Sequence, residues 1–233
     1  MTRGETLSEA FDDICIMDGP LNARLAAYSA KLRELNFPFA EAYDDLVARL
    51  YAGEIGREAP AVGDLMPSFT LPAKESKLVG LEDLTTNGPV VVSFNRGHWC
   101  PFCKIELMTI ASFHREITAH GATVVSIMPD RQQFTSDLQA VTHDEILILT
   151  DMDNAYALSL GLVMWVGDQL KTLMKGRGYH LDTFQGNDGW FVPLPATFVV
   201  DKTARIIARF VDPDFRKRMD VEDILAALKA MNT

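Results

Sequence analysis

Three cysteines in 233 residues are too few for a disulfide framework, and an odd number leaves at least one thiol unpaired. Such scarcity points to a reducing compartment. No apolar run approaches the roughly 20 residues that span a bilayer; segments such as 160–166 are far shorter. The opening MTRGETLSEAFDD lacks the apolar core of a secretory signal. Positive charge is in short supply as well. There are 22 Lys and Arg against 32 Asp and Glu, a formal net charge of −10. Phosphate binding needs clustered cations, so neither nucleic acid nor an anionic membrane is expected as a partner. No internal repeat and no low-complexity tract occurs. Zinc has little to hold it, because a second C-x-x-C is missing. Beyond Cys100 and Cys103 only Cys15, His98 and His114 could contribute. The chain therefore reads as cytoplasmic and soluble, with no metal and no cofactor.

What the sequence does have is a core and a rhythm. Apolar residues make up 48% of it, the share of a folded globular protein. Residues 1–58 read as a helical extension. Leu21, Leu25, Tyr28, Leu32 and Leu35 form one apolar stripe at three- and four-residue steps. Asn36-Phe37-Pro38 breaks it. A second helix follows with Tyr43, Leu46, Val47 and Leu50 inward, ending at Gly53 and Gly56. Cys15 sits on a shorter helix before both, and nothing in this extension suggests chemistry.

Residues 59–233 read as a second unit, α/β in class. Strands are expected at residues 69–71, 90–94, 123–128, 146–149, 197–200 and 206–211, and a short strand and turn at 78–84. Helices are expected at 103–120, with Gly121 as its cap, then at 131–142, from Asp151 or Asp153 to Gly161, and at 221–231. Strands alternating with helices make βαβ units and a parallel sheet. The turn at 201–204 adds an antiparallel hairpin, so the central sheet is mixed. Residues 164–193, rich in glycine, read as a long functional or mobile loop.

The chemistry concentrates in VVVSFNRGHWCPFCKIEL, residues 90–107. A buried strand runs into a short turn, and a C-x-x-C then opens a helix. Thiols at a helix N-terminus meet unpaired N–H groups and the positive end of the helix dipole, which favour thiolate. Pro101 is tolerated at an early helical position. Such a pair attacks a disulfide or a peroxide and resolves the product internally.

Several flanking residues admit two readings. Arg96 either lowers a thiol pKa or binds a polar substrate, or else it is a solvated loop arginine. Trp99 either covers the thiols or sits half-buried in the loop. His98 reads better as a surface histidine than as an acid–base group, and Glu106 as a helix-face charge. Trp190 and Phe191 either roof the site or pack in the core. Arg216, Lys217 and Arg218 read as a solvated face.

Four stretches together resemble the peroxiredoxin-like proteins of the alkyl hydroperoxide reductase/thiol-specific antioxidant family, in the thioredoxin superfamily. They are GDLMPSFTLP, GPVVVSFNRGHWCPFCKIEL, LTDMDNAYALSLGL and LPATFVVD, in order over about residues 60–233. The resemblance implies a thioredoxin-like fold, a central mixed sheet flanked by helices, behind the N-terminal helical extension. It implies an antioxidant oxidoreductase whose redox-active Cys100 and Cys103 close a disulfide. The substrate is then a hydroperoxide or a disulfide, the reductant a thiol such as thioredoxin or glutathione, and a homodimer is possible by analogy.

Two positions depart from the peroxiredoxin pattern. Cys100 stands where that family carries Thr or Ser, and Pro195 where it carries Arg. Thioredoxins have their first redox cysteine and a cis-proline at these places. Pro195 is therefore expected to be cis and to lie against the pair, with Thr197 beyond it supporting the site. Thioredoxin logic makes Cys100 the nucleophile and Cys103 the resolving thiol; peroxiredoxin logic reverses them. A non-catalytic alternative, a redox sensor or interaction module switched by the Cys100–Cys103 disulfide, draws on the 164–193 loop.

Overall fold

The computed structural model describes residues 6–231. The chain opens with three helices, α1 (Leu7–Ile16), α2 (Leu21–Glu34) and α3 (Phe39–Ala52). Thr6 starts α1 with a capping box. Its hydroxyl accepts from the Glu9 N–H, and the Glu9 carboxylate accepts from the Thr6 N–H. The apolar stripes lie where the spacing put them, with Leu21, Leu25, Tyr28 and Leu32 buried on α2 and Tyr43, Leu46, Val47 and Leu50 buried on α3.

A small hairpin, β1 (Thr70–Pro72) and β2 (Leu78–Gly80), leads to α4 (Leu81–Asn87) and then β3 (Val90–Phe94). The order continues with α5 (Pro101–Ser112), α6 (His114–Ala119), β4 (Thr123–Met128), α7 (Ser136–Val141), β5 (Leu147–Thr150) and α8 (Ala155–Ser159). Then come β6 (Val163–Trp165), α9 (Asp168–Lys175), α10 (Leu181–Gln185), β7 (Phe191–Pro193), β8 (Ala196–Val200), β9 (Ile206–Val211) and α11 (Val221–Ala230).

The central sheet has the order β5-β4-β3-β8-β9. β3, β4 and β5 are parallel, and β8 and β9 run antiparallel to their neighbours. This is the mixed sheet that the alternation and the final turn implied. Strand periodicity divides its faces. Val90, Val92 and Phe94 join a core that also takes in the N-terminal helices. Val91, Val124, Met128 and Val199 join the core beneath α5, α6 and α11. Ser93 and Ser126 share the parity of this second set, and Thr197 lies directly opposite Ser93.

Four local expectations are corrected. The 164–193 segment is not a loop: β6 pairs with β7, and α9 and α10 fill the interval with Leu170, Met174 and Leu181 buried. Residues 78–84 are half strand and half helix, because Leu81 begins α4 with Glu82 and Asp83 in its first turn. The 103–120 helix breaks at Phe113 into α5 and α6. The 131–142 helix shortens to α7 behind a 3-10 turn at Gln132–Phe134.

Candidate active site

β3 delivers the chain at Phe94 into a turn, and α5 receives it at Pro101. Cys100 is the N-cap residue with Pro101 in the first helical position. Gly97 makes the turn possible. Its φ of +146° suits glycine, and a Cβ there would collide with Trp99 Nε1 and Asp130 Oδ2. The turn folds Arg96 back over the two thiols. Arg96 Nη2 and Nε lie 3.0 and 3.3 Å from Cys100 Sγ, and the Arg96 backbone N–H lies 3.4 Å from Cys103 Sγ. Both cysteines and Arg96 are fully buried. The solvated reading of Arg96 is therefore wrong.

A second guanidinium arrives from the segment between β9 and α11. Arg218 Nη2 is 3.6 Å from Cys103 Sγ, and its Nε donates to Glu106 Oε2 at 2.7 Å. Glu106 also accepts from Ser93 Oγ at 3.2 Å and Asn95 Nδ2 at 2.9 Å, while Ser126 Oγ donates to Asn95 Oδ1 at 2.6 Å. Glu106 is thus no helix-face charge and Arg218 no solvated one; both are fully buried. Spacing contained a signal for Glu106. It stands three residues after Cys103, hence on the same face of α5. Ser93 inside an apolar strand signalled a buried polar partner. Nothing local marked Arg218, since it reaches the site from 112 residues downstream of Glu106.

These charges set the thiols apart. Burial pushes the Cys100 thiol up, but a hydrogen bond from Cys103 and the positive charges of Arg96 and Arg218 outweigh it and bring it down to about 5. Burial and the hydrogen bond to Cys100, followed by the Cys100 charge, hold the Cys103 thiol well above its ordinary value. Burial pushes the Glu106 carboxyl up to about 7, against the pull of Arg218.

Aromatic rings close the site. The Arg96 guanidinium lies 4.0 Å from the Phe215 ring centroid, 5.3 Å from Trp99 and 5.5 Å from Tyr43. Tyr43 comes from α3 and packs edge-on against Phe102 and Phe215; Tyr28 of α2 meets Phe102 the same way. The N-terminal helices, where the sequence suggested no chemistry, thus form the cover of the thiols. They also hold Arg218, because Asn22 on α2 donates to the Arg218 carbonyl at 2.8 Å and accepts from its N–H at 3.0 Å.

The other expected residues fall in two groups. Trp99 is buried against the Arg96 guanidinium. His98 Nδ1 is 2.6 Å from Asp130 Oδ2, stacked on Phe134, at the rim of the turn. Thr197 is buried in β8 opposite Ser93, and no hydrogen bond joins it to a thiol among the described residues. Pro195 is buried at the same end of the sheet, just before β8, but it is not cis: no cis peptide bond occurs among the described residues. Trp190 is a core residue, its Nε1 bonded to Asp188 at 2.6 Å, and Phe191 is half exposed on β7. Neither roofs the thiols.

The Redoxin family model matches residues 61–228. No curated protein matches the chain. Among solved structures the chain is similar to peroxidoxin BcpB from Mycobacterium tuberculosis. That match has 21% identity and a TM-score of 0.57, and covers 74% of this chain and 98% of that one. It is similar to reduced Prx3 from Vibrio vulnificus in complex with hydrogen peroxide, at 21% identity and a TM-score of 0.55, covering 72% and 99%. AhpC of Mycobacterium tuberculosis follows at 15% identity and a TM-score of 0.55, covering 75% and 94%.

Proposed function

Because the chain belongs to the Redoxin family, we propose that it is a peroxiredoxin-like thiol peroxidase in which Cys100 is the nucleophile and Cys103 the resolving thiol. One observation carries this assignment of roles. Two buried guanidinium groups, Arg96 and Arg218, converge on the site, and Glu106 is the one carboxylate bonded to either of them among the described residues. A guanidinium does not deprotonate, and a buried unpaired cation is costly. The missing negative charge is the Cys100 thiolate, held by two N–H groups of Arg96.

The reaction balances on these groups. The Cys100 thiolate attacks the terminal oxygen of a hydroperoxide, the O–O bond breaks, and the sulfur becomes a sulfenic acid. The leaving alkoxide takes a proton and departs as an alcohol. Arg96 Nη1, buried and without a hydrogen-bond partner, is placed to donate to the peroxide as charge moves onto its oxygens. Cys103 then attacks the sulfenic sulfur, water leaves, and a Cys100–Cys103 disulfide remains. Two electrons pass from the dithiol to the peroxide, and a thiol donor restores both cysteines.

Enclosure favours a hydroperoxide over a protein disulfide as substrate, since neither sulfur reaches the surface. It likewise favours a small thiol such as glutathione over a docking protein such as thioredoxin as donor. The sensor alternative loses the feature that motivated it, because the 164–193 segment is folded.

The test uses reduced wild type, Cys100→Ser and Cys103→Ser with one equivalent of hydrogen peroxide, followed by sulfenic-acid trapping and mass mapping. The trapped adduct is expected on Cys100 in Cys103→Ser and nowhere in Cys100→Ser. An adduct on Cys103 in Cys100→Ser would reverse the roles. Absence of turnover with hydroperoxide and with insulin disulfide would remove the enzymatic reading.

A further inference from the structure

The segment 212–220, between β9 and α11, has no helix or strand of its own, yet it carries Arg218 to the thiols. The guanidinium is tied to α5, where Glu106 Oε2 accepts from its Nε at 2.7 Å. Its Nη1 only turns back on the segment, to the Phe215 and Lys217 carbonyls. The backbone is tied to α2 by one side chain. Asn22 Oδ1 accepts from the Arg218 N–H at 3.0 Å, and Asn22 Nδ2 donates to the Arg218 carbonyl at 2.8 Å. The amide is itself held. Asp220 Oδ2 accepts from Asn22 Nδ2 at 3.0 Å, and Asp220 Oδ1 accepts from the Asn22 backbone N–H at 3.2 Å. That N–H stands in the first turn of α2, where no partner exists within the helix, and Pro20 before it supplies no side-chain cap. Residue 22 precedes residue 61, where the match to the family begins.

Cys103 faces the Cys100 thiolate, the Arg96 and Arg218 guanidinium groups and, one turn along α5, Glu106. The phenols of Tyr28 and Tyr43 stay neutral, because burial pushes both up. In the reduced pair the hydrogen bond to Cys100 and the Cys100 charge keep the proton on Cys103. Oxidation of Cys100 to a sulfenic acid removes that charge. Arg218 Nη2 at 3.6 Å and the Arg96 backbone N–H at 3.4 Å then meet Cys103 with no competing thiolate. Cations and N–H donors at this range favour the charged sulfur, and the thiolate is the form that attacks. Arg218 is thus the cation on which the second thiol depends.

We propose that Asn22 is a positioning residue for the resolving step: its grip on the Arg218 backbone keeps the guanidinium at Cys103, so that the Cys103 thiolate forms once Cys100 has become a sulfenic acid. The proposal rests on the peroxidase reading above, and its chemistry is the second half of the reaction already balanced. Cys103 gives up its proton, the S–S bond forms as the S–O bond breaks, and the hydroxide leaves with that proton as water. Without Asn22 the guanidinium can draw away from Cys103 while it stays bonded to Glu106.

The test follows sulfenic-acid formation and disulfide closure as separate phases after rapid mixing of wild type, Asn22→Ala and Asn22→Asp with hydrogen peroxide. Alanine suits this helical position. Aspartate keeps the acceptor for the Arg218 N–H and loses the donor to its carbonyl. Sulfenic-acid formation is expected to change little, since two N–H groups of Arg96 hold that thiolate. Closure at pH 7 should slow in both variants, about tenfold in Asn22→Ala, as the midpoint of its pH profile rises by about one unit. A weakened fold alone would neither split the two steps nor move that midpoint. Cys103 is also titrated by thiolate absorbance in Cys100→Ser, with and without Asn22→Ala, a readout that needs no peroxide; the same upward shift is expected. Closure at the wild-type rate in both variants, an unmoved midpoint, or equal slowing of both steps overturns the proposal and leaves the peroxidase reading standing. Absence of sulfenic acid in wild type overturns the peroxidase reading. A Cys103 midpoint that still rises with Asn22→Ala then supports the grip on Arg218, and one that does not rise overturns it.

Discussion

A buried arginine needs an anion, and Arg96 has no carboxylate bonded to it among the described residues. Its Nη2 and Nε both face Cys100 Sγ instead. Replacing Arg96 by Met keeps most of the volume and removes the charge. The Cys100 thiol is then expected to titrate above its value near 5, with the Cys103 hydrogen bond and Arg218 still opposing the effect of burial. The rate of Cys100 oxidation by hydrogen peroxide at pH 7 should fall about tenfold, because the Arg96 donor aimed at the peroxide is lost as well, measured by stopped flow. An unchanged rate would show that Arg96 does not hold the thiolate. His98 and Trp99, adjacent in sequence, take different work. His98 anchors the turn to Asp130, and Trp99 covers the guanidinium.

At the scale of elements, α5 is fastened to the sheet by a polar seam. Ser93 and Asn95 continue from β3, Ser126 comes from β4, and Glu106 reaches them from α5. Arg218 closes the seam from the segment before α11. Removing one member of a buried ion pair leaves the other uncompensated, so Glu106→Ala is expected to destabilise the fold by about 3–5 kcal/mol. Urea unfolding is the measure, and a loss below about 1 kcal/mol would place the seam outside the stabilising network. Sequence gave partial access to this arrangement. Short apolar runs revealed β3, β4 and β9, and three- and four-residue spacing revealed the α2 and α3 stripes. Sequence missed α9 and α10, whose glycine-flanked stretch reads as loop until tertiary packing buries Leu170, Met174 and Leu181. It also read residues 78–84 as strand and turn, where Leu81 instead begins α4.

Over the whole molecule, the division between an inert extension and an active unit does not hold for the site. The C-x-x-C was legible because a strand, a turn and a helix N-terminus are all local signals. The cover was not, because Tyr28 and Tyr43 are ordinary members of helical stripes until folding sets them against Phe102. Pro195 illustrates the opposite error. A neighbouring family pattern implied a cis bond and contact with the pair, and the backbone there is trans. The charges at the pair come from distant parts of the chain, Arg96 from the turn and Arg218 from beyond β9. No helix among the described residues is long and apolar enough to cross a membrane.

The central claim is that Cys100 is a thiolate at neutral pH while Cys103 keeps its proton. A folded-state value near 5 means that the thiolate is fully present above about pH 6 and is lost as the pH falls through 5. The reduced protein can be titrated by its far-ultraviolet thiolate absorbance, with Cys100→Ser and Cys103→Ser alongside. Wild type is expected to carry one thiolate with a midpoint near 5, and Cys100→Ser to lose the step near 5. A wild-type midpoint near the ordinary ~8.5, or a low midpoint that persists in Cys100→Ser, would contradict it.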